Sequence, residues 1–197
     1  MAKRGLYLLL VIAMFTKSLQ AATMEKKTTY PNGLTVIYQP STTSPIVSIG
    51  LFLRVSCFNE PAAKRGLNFL MQELMMKGTK HKTAQQVAET IESVGGFLSA
   101  GTNEDFSELY ATVTNEHFKL AGDLLYEIVT EPAFPEKEFK KEQQNLLAAI
   151  QMRQEEIFNV VYDLFSIKLF GAHPYSVPMV GTAATVKQIT LRDIINQ

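Results

Sequence analysis

The chain has 197 residues, 46% of them hydrophobic and 19% charged, with 19 basic and 19 acidic side chains. That length supports one domain with a full core and not comfortably two, and the zero formal net charge argues against nucleic acid or an acidic surface as the main partner. The single cysteine, Cys57, rules out an internal disulfide framework and reads as a small packed hydrophobe.

Lys3 and Arg4 precede an apolar run from Leu6 to Phe15, followed by Ser18-Leu-Gln-Ala21-Ala22. A basic start, a short apolar segment and small residues read as a secretory signal peptide, residues 1–22, cut after Ala21 or Ala22. The run is too short for a permanent membrane span. The expectation is an exported protein, periplasmic if the source is a Gram-negative bacterium, with residues 23–197 forming the folded part.

From Thr28 the pattern is that of strands. Pro31-Asn32-Gly33 predicts a hairpin turn, because asparagine and glycine accept positive φ, and Leu34 to Tyr38 is the return strand. Val47, Ile49, Leu51, Leu53 and Val55 alternate with Ser48, Gly50, Phe52 and Arg54, a strand with one apolar face. Asn59-Glu60-Pro61 breaks it. Leu67, Leu70, Met71, Leu74 and Met75 then recur at helical spacing, and Gly78 ends that helix. Its other face carries Phe69, Gln72, Glu73 and Met76; the residues alone predict that Phe69 packs while Gln72 and Glu73 are solvated.

Thr83 predicts the N-cap of a second helix with Val87, Ala88, Ile91 and Val94 inward, ended by Gly95-Gly96. Two strands follow, Phe97 to Thr102 and Phe106 to Val113, the second with Ser107, Leu109, Ala111 and Val113 on one face. The remainder is helical. A helix over 116–129 turns Leu124, Leu125 and Ile128 inward, and one over 136–152 turns in Phe139, Leu146 and Ile150. The next, to about Leu169, is expected to bury Ile157, Val160, Val161, Leu164 and Phe165. A last short helix starts at Thr190.

The stretch Gly66-Leu-Asn-Phe-Leu-Met-Gln-Glu-Leu-Met-Met-Lys-Gly-Thr79 closely resembles the motif helix of the insulinase/pitrilysin family, which includes the mitochondrial processing peptidases. The family pattern is Gly-Leu-x-His-x-x-Glu-His-x-x-x-Lys-Gly-Thr, the inverted zinc-peptidase arrangement. Gly95-Gly-Phe-Leu-Ser-Ala-Gly-Thr102 is similar to the family's Gly-Gly-x-x-Asn-Ala-x-Thr. The resemblance covers residues 28 to 197 and implies an α+β fold. That fold is a two-layer sandwich of a mostly antiparallel mixed sheet with helices on one face, the LuxS/processing-peptidase-like metallopeptidase domain. Relatives continue with a further strand and a second related domain, so the chain is expected to correspond to their first half.

Aligned without a gap, Phe69 stands at the first histidine, Gln72 at the catalytic glutamate and Glu73 at the second histidine. The third zinc ligand, a glutamate on a later helix, falls on Ala149. A phenyl ring and a methyl group offer no lone pair, and an amide has no useful basicity near neutral pH. Zinc and catalysis are therefore expected to be lost. His81, His117 and His173 share no metal-ligand spacing. The resemblance further implies that Ser99, Ala100, Gly101 and Thr102 form an edge strand on which an extended peptide lies; the alternative is that they only turn a strand corner.

Three functional readings follow. The first is a non-catalytic homologue that holds extended peptides beside an active zinc-bearing homologous subunit. The second is a stand-alone peptide-binding or assembly module. The third is an active zinc metalloendopeptidase, which the family alone implies and the residues oppose.

Overall fold

The protein, seen here as a computed structural model, is described over residues 25–197; the expected signal peptide lies outside the described residues. The described chain divides after Pro45 into two units, 25–45 and 46–197. In the first, β1 (Lys26–Thr29) and β2 (Thr35–Tyr38) pair antiparallel, Lys26 opposite Tyr38 and Thr29 opposite Thr35. The reversal falls at the expected turn. Gly33 has φ of 86°, a conformation that costs glycine little, and its amide donates to the Tyr30 carbonyl at 2.9 Å. The Asn32 side-chain oxygen accepts from the Leu34 amide at 3.2 Å.

The second unit is built on three antiparallel strands in the order β3 (Ile46–Leu53), β5 (Ser107–Thr114), β4 (Phe97–Thr102). The central strand shows the period of two most clearly. Ser107, Leu109, Ala111 and Val113 are buried while their neighbours are half-exposed. Helices cover that face. The motif helix α1 (Leu67–Met75) packs on β4, α2 (Ala84–Glu92) beside it, and α3 (Phe118–Thr130) on β5 and β3. The long α4 (Glu136–Glu155) packs against α1. Leu70, Leu74, Leu109 and Ile128 are wholly enclosed where these elements meet, each stabilising the fold by about 1.5–3 kcal/mol through burial. The α+β architecture is as expected, and among the described residues the strand pairings are antiparallel.

Local signals explain the boundaries. Thr83 caps α2, its hydroxyl accepting from the Gln86 amide while the Gln86 side chain accepts from the Thr83 amide. Thr190 and Asp193 repeat that box at α7 (Leu191–Ile195), which follows the single-turn α6 (Ala183–Val186). Asp193 also pairs with Lys64. The lysine and the Thr190 hydroxyl lower its carboxyl to about 2, tying the last helix to the segment before α1. The packing expected of the Cys57 side chain lies outside the described residues.

One helix is turned the other way from the expectation. In α5 (Ile157–Phe170) the only buried residue is Ser166. Ile157 is 83% and Phe158 76% exposed, and Val160, Val161, Leu164 and Phe165 are exposed as well. The stripe that meets the domain is Asn159, Asp163 and Ser166, at helical spacing. Asp163 and Asn159 accept from the Arg153 guanidinium of α4 at 2.6 and 3.2 Å. Apolar residues occupy every other side of the helix, so their periodicity selects no inner face; the polar residues do.

Candidate functional site

The motif helix is positioned from its N-terminus. Gly66 precedes it in the left-handed region, φ 95°, and a Cβ there would come within 2.6 Å of the Val180 carbonyl oxygen, so only glycine fits. The Glu60 carboxylate, almost completely buried, accepts from the Gly66 amide at 3.2 Å and the Asn68 amide at 2.6 Å. These are donors that a helix start leaves unpaired. Burial pushes the Glu60 carboxyl up, while the two amides and Arg65, 3.9 Å away, pull against that shift. Asn68 is also buried, its amide nitrogen donating to the Ser56 carbonyl.

From that anchor, Leu67, Leu70, Met71, Leu74 and Met75 turn into the core as their spacing predicts. Phe69 is half-buried and packs against the core. Gln72 departs from its expected solvation. It is only 2% exposed, and its Nε2 donates to the Glu108 carbonyl of β5 at 2.7 Å. Its Oε1 finds no donor among the described residues. The reason is geometric: α1 lies on the sheet, so the polar side chain between Phe69 and Glu73 faces backbone rather than water. Glu73 is half-buried. Ala149 is exposed on α4 and lines a cavity of about 330 Å³ with Arg153, Asn159 and Val180.

These side chains do not fit the family's zinc. Phe69 and Ala149 have no donor atom, Gln72 is enclosed against the strand at the place of the base rather than of a ligand, and of the three ligand positions Glu73 alone carries a donor. A zinc site takes three or four nitrogen, sulfur or oxygen ligands. Among the described residues, no three His, Cys, Asp or Glu side chains converge into such a set. The histidines are dispersed. His81 pairs with Glu131 at 2.7 Å and His117 lies 3.6 Å from Glu116. His173 sits in a ring cluster with Phe58, Phe170 and Tyr175, its Nδ1 accepting from the Tyr175 amide.

Ser99, Ala100, Gly101 and Thr102 lie within β4, the terminal strand, bonded on one side to β5 with Ser99 opposite Tyr110 and Thr102 opposite Ser107. They do not turn the corner. That falls at the next residues, where the Asn103 side chain accepts from the amides of Asp105 and Phe106, each at 2.9 Å. Because α1 packs on β4, the substituted motif and the open edge are neighbours.

A second concavity was not legible in the sequence. It encloses about 410 Å³ where the 103–106 turn, the end of α4, α5 and residues 175–180 meet. The Arg153–Asp163 pair and Ser166 line it, as do Tyr175 and Asp105, the tyrosine hydroxyl donating to the carboxylate. These residues come from four separate segments, so no motif spacing announces them. The polar stripe of α5 is the one signal that points there.

Known proteins resemble this chain over most of its described length. A protein called an uncharacterized zinc protease in Bacillus subtilis is 29% identical over 163 residues, 83% of this chain and 40% of that one. A namesake in Rickettsia bellii is 31% identical over 79% of this chain and 38% of its own. Among solved structures, a peptidase M16 inactive domain from Pseudomonas fluorescens superposes with a TM-score of 0.83 at 19% identity, covering 87% of this chain and 42% of that chain. A protease from Helicobacter pylori gives 0.83 at 22%, covering 88% and 42%. The fold is thus that of these domains, and the chain spans about two fifths of the length of the proteins it matches. With residues 35–183 matching the family model described as Insulinase (Peptidase family M16), the chain belongs to the insulinase family of peptidases.

Proposed function

We propose that this chain is a non-catalytic member of the family that takes no zinc, holds extended peptides along β4 and works beside an active, zinc-bearing homologue. The observation that carries the reading is Gln72. At the position of the general base stands a neutral amide, closed off from water and hydrogen-bonded to Glu108, so it neither deprotonates a water nor meets one. With Phe69, Glu73 and Ala149 around it, the helix keeps its packing and loses its chemistry.

Two further observations support holding and partnership. An open strand edge offers alternating amides and carbonyls to any extended peptide, with little dependence on sequence, and β4 is such an edge. The outward side of α5 leaves Ile157, Phe158, Leu164 and Phe165 exposed, and exposed apolar side chains clustered on one helix are the kind of surface a partner covers. The export expected from residues 1–22, to the periplasm if the source is a Gram-negative bacterium, suits a holding or channelling role of this kind.

Binding of an unstructured peptide, followed by fluorescence anisotropy, tests the edge. Successive residues of a strand point their amides to opposite sides, so of Ala100→Pro and Gly101→Pro one removes an outward donor. We expect that variant to weaken binding by about tenfold, in keeping with a lost backbone hydrogen bond, while peptide sequence matters little. Equal binding by both variants would remove β4 from the account. Co-purification with a homologue that bears the intact motif separates a subunit from the second reading, a stand-alone module.

A further inference from the structure

We propose that the Glu108 carboxylate, reached across Gly101, seats one lysine or arginine side chain of a peptide held on β4. The inference rests on the β4 reading and adds to it the chemistry of the guest.

Gly101 of β4 and Glu108 of β5 are directly paired, and their side-chain positions share the sheet face away from the helices. Gly101 leaves that place bare. A Cβ there would lie 3.8 Å from the Glu108 Cγ and 3.7 Å from its Oε1, so the glutamate lies over the glycine, toward the open edge. Its side chain is half-buried and has no hydrogen bond or ion pair among the described residues. Other partly enclosed carboxylates are paired: Glu127, Glu142, Asp163 and Asp193 each hold a lysine or an arginine.

A peptide paired with β4 sets one residue opposite Gly101, with its side chain on the same face. From there to β5 is two strand spacings, about 9.5 Å. A long cationic side chain meets the leaning carboxylate over the bare glycine; a short one does not. The surroundings have the same sign. β4, β5, the 103–106 turn, α1 and α2 carry Glu73, Glu89, Glu92, Glu104, Asp105 and Glu108 and no lysine or arginine, in a chain whose formal charges balance. Such a one-sign field favours encounter with a basic polypeptide.

The test is fluorescence anisotropy with two labelled, N-acetylated, unstructured peptides, alike except for lysine or glutamine at alternate positions. We expect the wild type to favour the lysine peptide by about three- to fivefold at low salt, in keeping with one half-exposed ion pair. That preference is laid over a hold that backbone hydrogen bonds supply, and high salt should erase it. Glu108→Gln should abolish it without changing the glutamine peptide's binding, and should melt with the wild type, since the side chain has no partner to lose. Glu89→Gln makes the same change of net charge on α2, away from the edge, and should leave most of the preference. Equal binding of the two peptides by the wild type overturns the proposal, as does a preference that survives Glu108→Gln or that Glu89→Gln removes equally. If the preference fails while the proline substitution in β4 still weakens binding, the seat falls and the edge stands; if neither peptide binds, both fall.

Discussion

Gln72→Glu, the single change that restores the family's general base, is expected to destabilise the fold by about 2–4 kcal/mol at neutral pH. Gln72 is enclosed and donates to the Glu108 carbonyl; a carboxylate there would face that oxygen without a donor and without water. The cost should depend on pH. Burial raises the folded-state pKa of such a group above its unfolded value of about 4.3. Below the unfolded value both states are protonated, and the acid's own O–H can serve Glu108, so the variant unfolds near the wild type. The deficit opens as pH rises through the unfolded pKa and is complete above the folded one. Urea unfolding at pH 4 and pH 7.5 checks both halves. Gln72→Met removes the unpaired Oε1 along with the hydrogen bond and should cost about 1 kcal/mol or less. A neutral effect of Gln72→Glu at pH 7.5 would mean that the site is wet and open to substrate.

Glu60→Ala should cost about 2–3 kcal/mol, since it strips the Gly66 and Asn68 amides of their shared acceptor inside the protein and leaves Arg65 without that carboxylate. For a domain of this size the melting temperature would fall by roughly 5–10 °C. Glu60→Gln keeps one acceptor oxygen and should lose about half as much. The consequence reaches function, because Glu60 fixes where α1 starts and so where it lies against β4. A Glu60→Ala variant that melts with the wild type would show that α1 is held by its apolar face alone.

The sequence patterns were legible where one physical demand acted on a residue. Leu67, Leu70, Met71, Leu74 and Met75 had only to be buried, and helical spacing said so. Leu109, Ala111 and Val113 had only to alternate. Thr83 and Gly33 answered local backbone needs that no tertiary contact opposes. Reading failed where two demands competed. Gln72 is polar and shares its helix face with Glu73, which suggests water, but the sheet beneath α1 supplies a carbonyl and buries it. In α5 the apolar residues are too many to choose a face; of the three that do choose, Asn159 and Asp163 accept from Arg153, and Ser166 lines the cavity beside them. The substitutions at the metal positions were readable outright, since a phenyl ring and a methyl group lack ligand atoms in any fold.

The exposed apolar side of α5 belongs with the proposed non-catalytic role, since it offers a contact surface away from the substituted motif.

Zinc content and peptide hydrolysis, measured together on the purified chain by elemental analysis and a quenched-fluorescence peptide, test the central claim most directly. We expect no stoichiometric zinc and no turnover. Equimolar zinc with hydrolysis, both abolished by Glu73→Ala, would contradict the account.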